Sequence, residues 1–185
     1  MRVIITGSEY ELADESSKHM WSSKKSGVYG RGLMNNEYDP CYVERTGYLG
    51  EMAFGKIMNM KTDFEYREGG QVEDFKLYGK KIDVKTMMYK RDVNYIRKNY
   101  SAHLDLRCDI YVMAYIEEEK RYKKEAIVEI IGYITKENIL NNCELGKAPK
   151  STGYLSYFVK LDQLIPIENM LNIITKLREK KNEEK

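Results

Sequence analysis

Residues 72–86 read VEDFKLYGKKIDVKT and predict a β-hairpin. Apolar and polar residues alternate on both sides of Gly79, which is the period-two pattern of two strands with one buried face. We expect Gly79 and Lys80 to form a two-residue turn with glycine first, so that Phe75 lies opposite Val84. One face of the hairpin is then apolar and is formed by Phe75, Leu77, Ile82 and Val84.

The other face of this hairpin is charged, because successive side chains point to opposite sides of a strand. The expected register places Asp74 opposite Lys85 and diagonal to Asp83, where cross-strand residues are roughly 7–8 Å apart and can reach one ion. Two interpretations remain open: a solvated face, or a site at which two carboxylates and a lysine meet. The residues of this face are Asp74, Lys76, Lys81, Asp83 and Lys85.

A helix is predicted upstream, over residues 39–60, because it starts with Asp-Pro, in which Asp caps free amides and Pro suits the first helical position. Its apolar stripe is interrupted by Glu51, the only charged residue within residues 46–55. A carboxylate among apolar groups is costly unless it is paired, protonated or bound to a metal. Glu51 therefore either lies at a wet helix edge or beside a lysine, or is a ligand directed at the hairpin. Gly50 and Gly55 would let another part of the backbone approach this helix closely.

Length and composition predict one globular domain over residues 1–185, with 42% hydrophobic and 32% charged residues. The net charge of +2 lacks the strong basic excess of a DNA-coating protein. The apolar run at residues 3–5 is too short for a signal-peptide core and no stretch has the length of a membrane span, so we expect a cytoplasmic protein with no membrane partner. The three cysteines are widely spaced, which argues against a disulfide framework or a zinc site.

The remaining pattern predicts an α/β or α+β fold with a central mixed β-sheet flanked by helices. Residues 109–116 form an apolar run expected of a central strand covered on both faces. The other expected elements are a weak helix over 6–20, a flexible basic loop near 21–37, strands over 125–134 and 153–161, a short helix over 135–142, an amphipathic helix over 167–177 and a frayed charged tail over 178–185.

A basic and aromatic stretch, KRDVNYIRKNY, follows the hairpin at residues 90–100. Cations bind phosphates, and aromatic rings stack on unpaired bases, so this stretch is a candidate nucleic-acid contact. A solvated loop or helix is the alternative interpretation. The candidate binding residues are Lys90, Arg91, Tyr95, Arg97 and Lys98.

The order of Glu51 on a helix, Asp74 on the next strand and Asp83-Val84-Lys85 on the following strand resembles the PD-(D/E)XK nuclease superfamily. The resemblance covers about residues 45–116 and implies a restriction-endonuclease-like core. Its specificity lies in the whole arrangement, because the [DE]xK tripeptide alone occurs at residues 74–76, 83–85, 118–120, 179–181 and 183–185.

Two departures from the family are visible in the sequence. Glu73 stands where the name-giving proline would be, a position at which the superfamily varies. A glutamine-plus-tyrosine motif, which some exonuclease branches carry after the lysine, is also missing, and this weakens any assignment as a processive exonuclease.

The resemblance implies a metal-dependent DNA nuclease, an endonuclease on duplex or branched DNA that leaves 5′-phosphate ends. Asp74, Asp83, Glu51 and the Val84 carbonyl would hold Mg²⁺ or Mn²⁺, hard cations that prefer oxygen ligands. Lys85 would orient the attacking water or stabilise the pentavalent transition state. Phage or mobile-element DNA processing, recombination and restriction all suit such an enzyme.

Other functions are compatible with the same residues. A nucleic-acid-binding or assembly protein could retain this fold without catalysis, and an RNA-directed enzyme could share the core. Nucleases that cut both strands often dimerise, and the segments at 167–177 and 154–158 are candidate surfaces for a homodimer.

Overall fold

The computed structural model describes residues 1–26, 40–64, 73–97, 106–147 and 155–183, and within them the fold is α+β. Two 3₁₀ turns, over Arg121–Lys123 and Leu161–Gln163, accompany the regular elements. The helices and strands are β1 (Arg2–Thr6), α1 (Ser8–Ser26), α2 (Pro40–Met58), β2 (Phe75–Leu77), β3 (Lys80–Met87), β4 (Val93–Arg97), β5 (Ile110–Lys120), β6 (Glu125–Thr135), α3 (Lys136–Asn142), β7 (Glu144–Lys147), β8 (Leu155–Lys160) and α4 (Ile167–Glu183).

Five strands form a mixed sheet in the order β1-β6-β5-β3-β2, in which only the β3–β5 pair is parallel. The predicted central strand is confirmed as β5, whose residues Val112, Met113 and Ala114 are fully buried. A second sheet, β4-β8-β7, is antiparallel and separate from the first. The structure therefore confirms an α+β fold with a central mixed sheet and helices packed against it.

The two faces of β5 belong to two different hydrophobic clusters. Val112 and Ala114 pack in the cluster that contains α2 and the apolar face of the hairpin, whereas Tyr111 and Met113 pack with residues of the second sheet. Strands covered on both faces read as continuous apolar runs. This explains why the run at 109–116 lacks alternation.

The helix α2 confirms the prediction made for residues 39–60. It ends where Asn59 takes a left-handed conformation, with φ of 52°. The Met60 N–H then donates to the Gly55 carbonyl at 2.8 Å, as in a Schellman cap. A Cβ added at Gly55 would lie 2.8 Å from the Met60 carbonyl oxygen, so this glycine does permit the expected close backbone approach.

The register predicted for the hairpin is wrong. Tyr78 and Gly79 form the turn, with φ of 48° and 77°, and Phe75 pairs with Ile82 instead of Val84. Positive φ at both turn residues is typical of a type I′ turn, whose twist matches that of the strands. Because the pairing moves by two residues, each side chain keeps its face, and Phe75, Ile82 and Val84 are buried as predicted.

Two segments expected to be irregular are helical in part. The helix α1 continues to Ser26, so the first residues of the predicted loop at 21–37 are helical, and residues 27–39 lie outside the described part. The helix α4 continues to Glu183, although a frayed tail was expected from residue 178. No described helix is both long and apolar enough to cross a membrane.

Candidate functional site

The hairpin brings Asp74 and Asp83 together more directly than the sequence predicted. The paired segment begins with Phe75 opposite Ile82, so Asp74 comes one residue before it and its side chain lies beside Asp83, and not opposite Lys85. The two carboxyl groups are within hydrogen-bonding reach of each other. The corrected register therefore makes a carboxylate pair the centre of the charged face.

Two backbone contacts fix the position of Asp74. Its N–H donates to the Ile82 carbonyl at 2.9 Å, and its Oδ2 accepts from the Val84 N–H at 2.6 Å. Because β2 begins only at Phe75, the carboxylate takes the place of a backbone acceptor for Val84. One of the two carboxylate oxygens is thus held by the scaffold.

Lys85 is bonded to the second carboxylate of the pair. Its Nζ lies 2.8 Å from Oδ1 and 2.7 Å from Oδ2 of Asp83. Partial burial works against the ammonium form, but the attraction of Asp83, its hydrogen bond and the charge of Asp74 prevail, so the pKa of Lys85 is raised. The lysine stays protonated, and 46% of its side chain is exposed.

The helix α2 brings Glu51 to the same group because Gly50 allows an unusually close approach to β3. A Cβ at position 50 would lie 1.8 Å from Thr86 Oγ1, a distance that no real side chain tolerates. The next residue, Glu51, interacts with Asp74, Asp83 and Lys85 through their charges. The four residues predicted from the sequence therefore lie in one electrostatic cluster.

Two acids of this cluster, Glu51 and Asp74, have a raised pKa and so hold their protons unusually tightly. Burial and then the charges of Asp74 and Asp83 raise the pKa of Glu51 well above its ordinary value. Burial and then Asp83 raise the pKa of Asp74 to about 7, although the Val84 N–H and Lys85 act in the opposite direction. Like charges that share a site disfavour ionisation of all of them, and such perturbed groups are typical of functional sites.

The donor types of the cluster fit a hard divalent cation, since all three acids offer carboxylate oxygens. In their present arrangement, however, the described residues contain no group of three or more Asp, Glu, His or Cys side chains that could hold a metal ion. Both oxygens of Asp83 are bonded to the Lys85 ammonium instead.

The candidate nucleic-acid residues have different environments. Lys90 is directed towards β6, with its Nζ 3.8 Å from Glu129, whereas the Arg91 guanidinium stacks on an exposed tyrosine ring. Tyr95 packs edge-on against Phe158 of β8, and Arg97 is exposed at the end of β4. Lys98 lies outside the described residues.

A cavity of about 170 Å³ joins part of this stretch to the acidic cluster. Lys85 of β3 lines it together with Arg91, Asn94 and Tyr95. Sequence reasoning missed Asn94, although the alternation within VNYIR places it on the same face of the strand as the buried Ile96. A polar residue at a buried strand position was the signal that could have found it.

The chain was compared with protein-family models, with curated proteins and with solved structures, and none of these comparisons found a match. The described architecture defines the chain as an α+β protein with a clustered acid–acid–lysine hairpin.

Proposed function

We propose that this chain is a metal-dependent nuclease that hydrolyses phosphodiester bonds in DNA and leaves 5′-phosphate ends, acting in the cytoplasm. The observation that carries the proposal is the contact between the carboxyl groups of Asp74 and Asp83, with Lys85 bonded to Asp83 and Glu51 close enough to interact with the charges of both acids. The helix α2 and the hairpin thus bring three carboxyl groups and one ammonium group together in one site.

The carboxylates would hold Mg²⁺ or Mn²⁺, with the Val84 carbonyl as a further oxygen donor. A bound divalent ion supplies an acidified water and neutralises charge that develops on the phosphate. A divalent cation would take the place of the protons that burial and mutual repulsion keep on Glu51 and Asp74, and its charge would relieve that repulsion. The Val84 N–H would keep Asp74 oriented through its bond to Oδ2.

Lys85 would contribute a fixed positive charge beside the scissile phosphate. Its ammonium is protonated, nearly half exposed and part of the cavity wall, so it can donate to a phosphate oxygen. Such a preorganised donor stabilises the charge of a pentavalent transition state. Before it acts in this way, the lysine has to give up at least one of its bonds to Asp83.

The same proposal includes the restriction-endonuclease-like core. Its support is the order of α2, the β2–β3 hairpin and the buried strand β5 that runs parallel to β3. DNA is the proposed partner, and duplex and branched forms are the first substrates to test.

A cleavage assay tests the nuclease proposal directly. Labelled duplex, branched and single-stranded DNA and RNA are incubated with the protein in Mg²⁺ or in EDTA. We expect Mg²⁺-dependent DNA cleavage, its loss in Asp83→Asn, and a fall of about 10²–10³-fold in Lys85→Ala, as on removal of one transition-state donor.

The control for this assay is Asp162→Asn, a charge change at an exposed position after β8. It should cleave like the parent protein, and circular dichroism should show that all three variants fold. Cleavage that persists in both Asp83→Asn and Lys85→Ala would refute the assignment.

A non-catalytic nucleic-acid-binding or assembly protein is the second candidate. The ion pair between Lys85 and both oxygens of Asp83 favours it, because this pair satisfies the acid without a metal. Calorimetric titration with Mn²⁺ separates the two functions. Binding that is lost in Asp74→Asn supports the nuclease, whereas no binding even with DNA present supports the second candidate.

A further inference from the structure

Asn94 has a buried side-chain amide that nothing in the described fold satisfies. It lies in the middle of β4, paired with Val159 of β8, and is only 4% exposed. Neither its Oδ1 nor its Nδ2 has a hydrogen-bond partner among the described residues. Buried polar groups are nearly always bonded, because an unmet donor or acceptor carries its full desolvation cost.

The cavity beside Asn94 has an apolar and a cationic wall. Met87 and Met113 make it apolar on the side of the main sheet. Two cations, Lys85 and Arg91, also line it. Since Lys85 belongs to the acidic cluster, the cavity opens beside the proposed site of cleavage.

We propose that this cavity binds an unpaired nucleobase, which Asn94 recognises with paired hydrogen bonds while Arg91 and Lys85 face the adjoining phosphate. The proposal rests on the proposed nuclease function and names how that enzyme selects its substrate. A side-chain amide offers a donor and an acceptor side by side, which matches the N6 and N7 atoms of adenine. Adenine is therefore the base expected to bind best.

The size of the cavity agrees with a single base. Its volume of about 170 Å³ is below the roughly 300 Å³ at which sites for drug-sized ligands begin. A run of stacked nucleotides would not fit. Enzymes that act on unpaired nucleotides read the base by contacts of this kind, with hydrogen bonds to its edge and apolar or aromatic side chains on its faces.

Binding of mononucleotides without metal tests the inference. The four deoxynucleoside monophosphates are titrated in EDTA, and the side-chain amide resonance of Asn94 is followed by NMR after assignment with Asn94→Leu. We expect this resonance to shift most with dAMP, and the affinity for dAMP to fall about tenfold or more in Asn94→Leu. No binding of any nucleotide, or equal binding by Asn94→Leu, overturns the proposal.

The melting temperature of the same variant distinguishes recognition from a structural role. Leucine has a similar size and leaves no unpaired amide, so Asn94→Leu should melt at a higher temperature than the parent protein. If the amide were bonded to internal water that the fold needs, the variant would melt lower, and the proposal would be wrong. Asn169→Leu, at an exposed position on α4, should change neither dAMP binding nor the NMR signal of Asn94.

Arg91 provides an independent measurement. In Arg91→Ala, dAMP should bind several-fold more weakly, whereas deoxyadenosine, which lacks the phosphate, should bind as it does to the parent protein. Equal losses for both ligands would contradict the assigned phosphate contact.

The base-binding measurements and the cleavage assay test the two proposals independently. Base binding without any DNA cleavage would refute the nuclease and leave the base site standing. DNA cleavage without base binding would refute the base site alone.

Discussion

Asp74 combines a structural and a chemical role in one side chain. Its Oδ2 accepts the Val84 N–H, which completes the start of the hairpin, while its carboxyl group lies against Asp83. Burial and this neighbour raise its pKa to about 7. The fold thus holds Asp74 where ionisation of its carboxyl group costs stability. Such a cost is expected for a residue that is kept for its function.

The raised pKa of Asp74 predicts how stability depends on pH in metal-free protein. The folded state binds this proton more tightly than the unfolded state, whose carboxyl has a pKa of 3.8. The stabilisation is therefore complete below pH 3.8 and is lost as the pH rises through about 7. Asp74→Asn cannot ionise and should be more stable than the parent protein at pH 8, by at most about 4 kcal/mol, since each tenfold change in proton affinity corresponds to about 1.4 kcal/mol.

Urea denaturation in EDTA at pH 5 and pH 8 measures this effect. The free energy of unfolding of Asp74→Asn should exceed that of the parent protein by more at pH 8 than at pH 5. Asp162→Asn, at an exposed site, should show no such difference. A variant that is less stable than the parent at pH 8 would show that the carboxylate repulsion has been misjudged.

At the scale of elements, the contact between α2 and β3 decides where Glu51 lies. Gly50 allows this contact, because a Cβ there would meet Thr86 Oγ1 at 1.8 Å and its Cβ at 2.8 Å. At this point the backbone of the helix rests directly on the Thr86 side chain of the strand. A displacement of α2 would therefore move Glu51 relative to Asp74 and Asp83.

Gly50→Ala should destabilise the protein by about 1–3 kcal/mol, the usual cost of overpacking, and should also reduce Mg²⁺-dependent cleavage. Chemical denaturation and the cleavage assay measure the two effects. The double variant Gly50→Ala/Thr86→Ala should recover part of the stability, since it removes the nearest of the clashing atoms.

Gly47 supplies the matched control in the same helix, because a Cβ there would meet nothing within 4 Å. Gly47→Ala should stabilise the protein by about 0.5–1 kcal/mol, through the lower conformational entropy of the unfolded chain. Equal effects at both positions would mean that helix propensity, and not the contact with β3, governs Gly50.

At the scale of the whole molecule, a buried ion-pair network joins elements that are far apart in the sequence. Arg45 of α2 is 4% exposed and bonds Asp14 of α1 at 2.7 Å and Glu119 of β5 at 2.9 Å. Glu119 is itself only 8% exposed. The network therefore fixes both long helices to the central strand.

Arg45→Ala should cost about 3 kcal/mol, the lower end of the range for a broken buried pair, because the buried Glu119 loses its nearest cation but keeps the Tyr10 hydroxyl and Arg121 at 3.7 Å. Thermal and urea denaturation measure this loss. The control is Arg2→Ala: Arg2 bonds Glu117 while 68% of its side chain is exposed, and such surface pairs contribute at most about 1 kcal/mol. A cost for Arg45→Ala no larger than that of the control would contradict a structural role for the network.

The two segments suggested as homodimer surfaces, 167–177 and 154–158, are largely buried or paired within the same chain. The stripe of α4 is buried in the main cluster through Ile167, Met170 and Ile174. The strand β8 is paired on both edges, by β4 and β7, and Tyr154 lies outside the described residues. A homodimer thus stays a proposal that would need a different face of α4, such as the one that carries the exposed Ile173.

The sequence by itself determined which residues share a face and which elements carry the acids. Alternation along residues 75–84 assigned the apolar and charged faces, and Glu51 was recognised as a lone charge on an apolar helix. These features depend on the local periods of helix and strand, which the chain carries in consecutive residues.

Only the tertiary structure decided how these pieces meet. The turn at Tyr78 and Gly79 set the register that brings the side chain of Asp74 beside Asp83, although glycine alone predicted a turn one residue later. The close contact between α2 and Thr86 was likewise not readable from local patterns. Register and close packing depend on partners distant in the chain, and those partners are fixed only when the layers pack together.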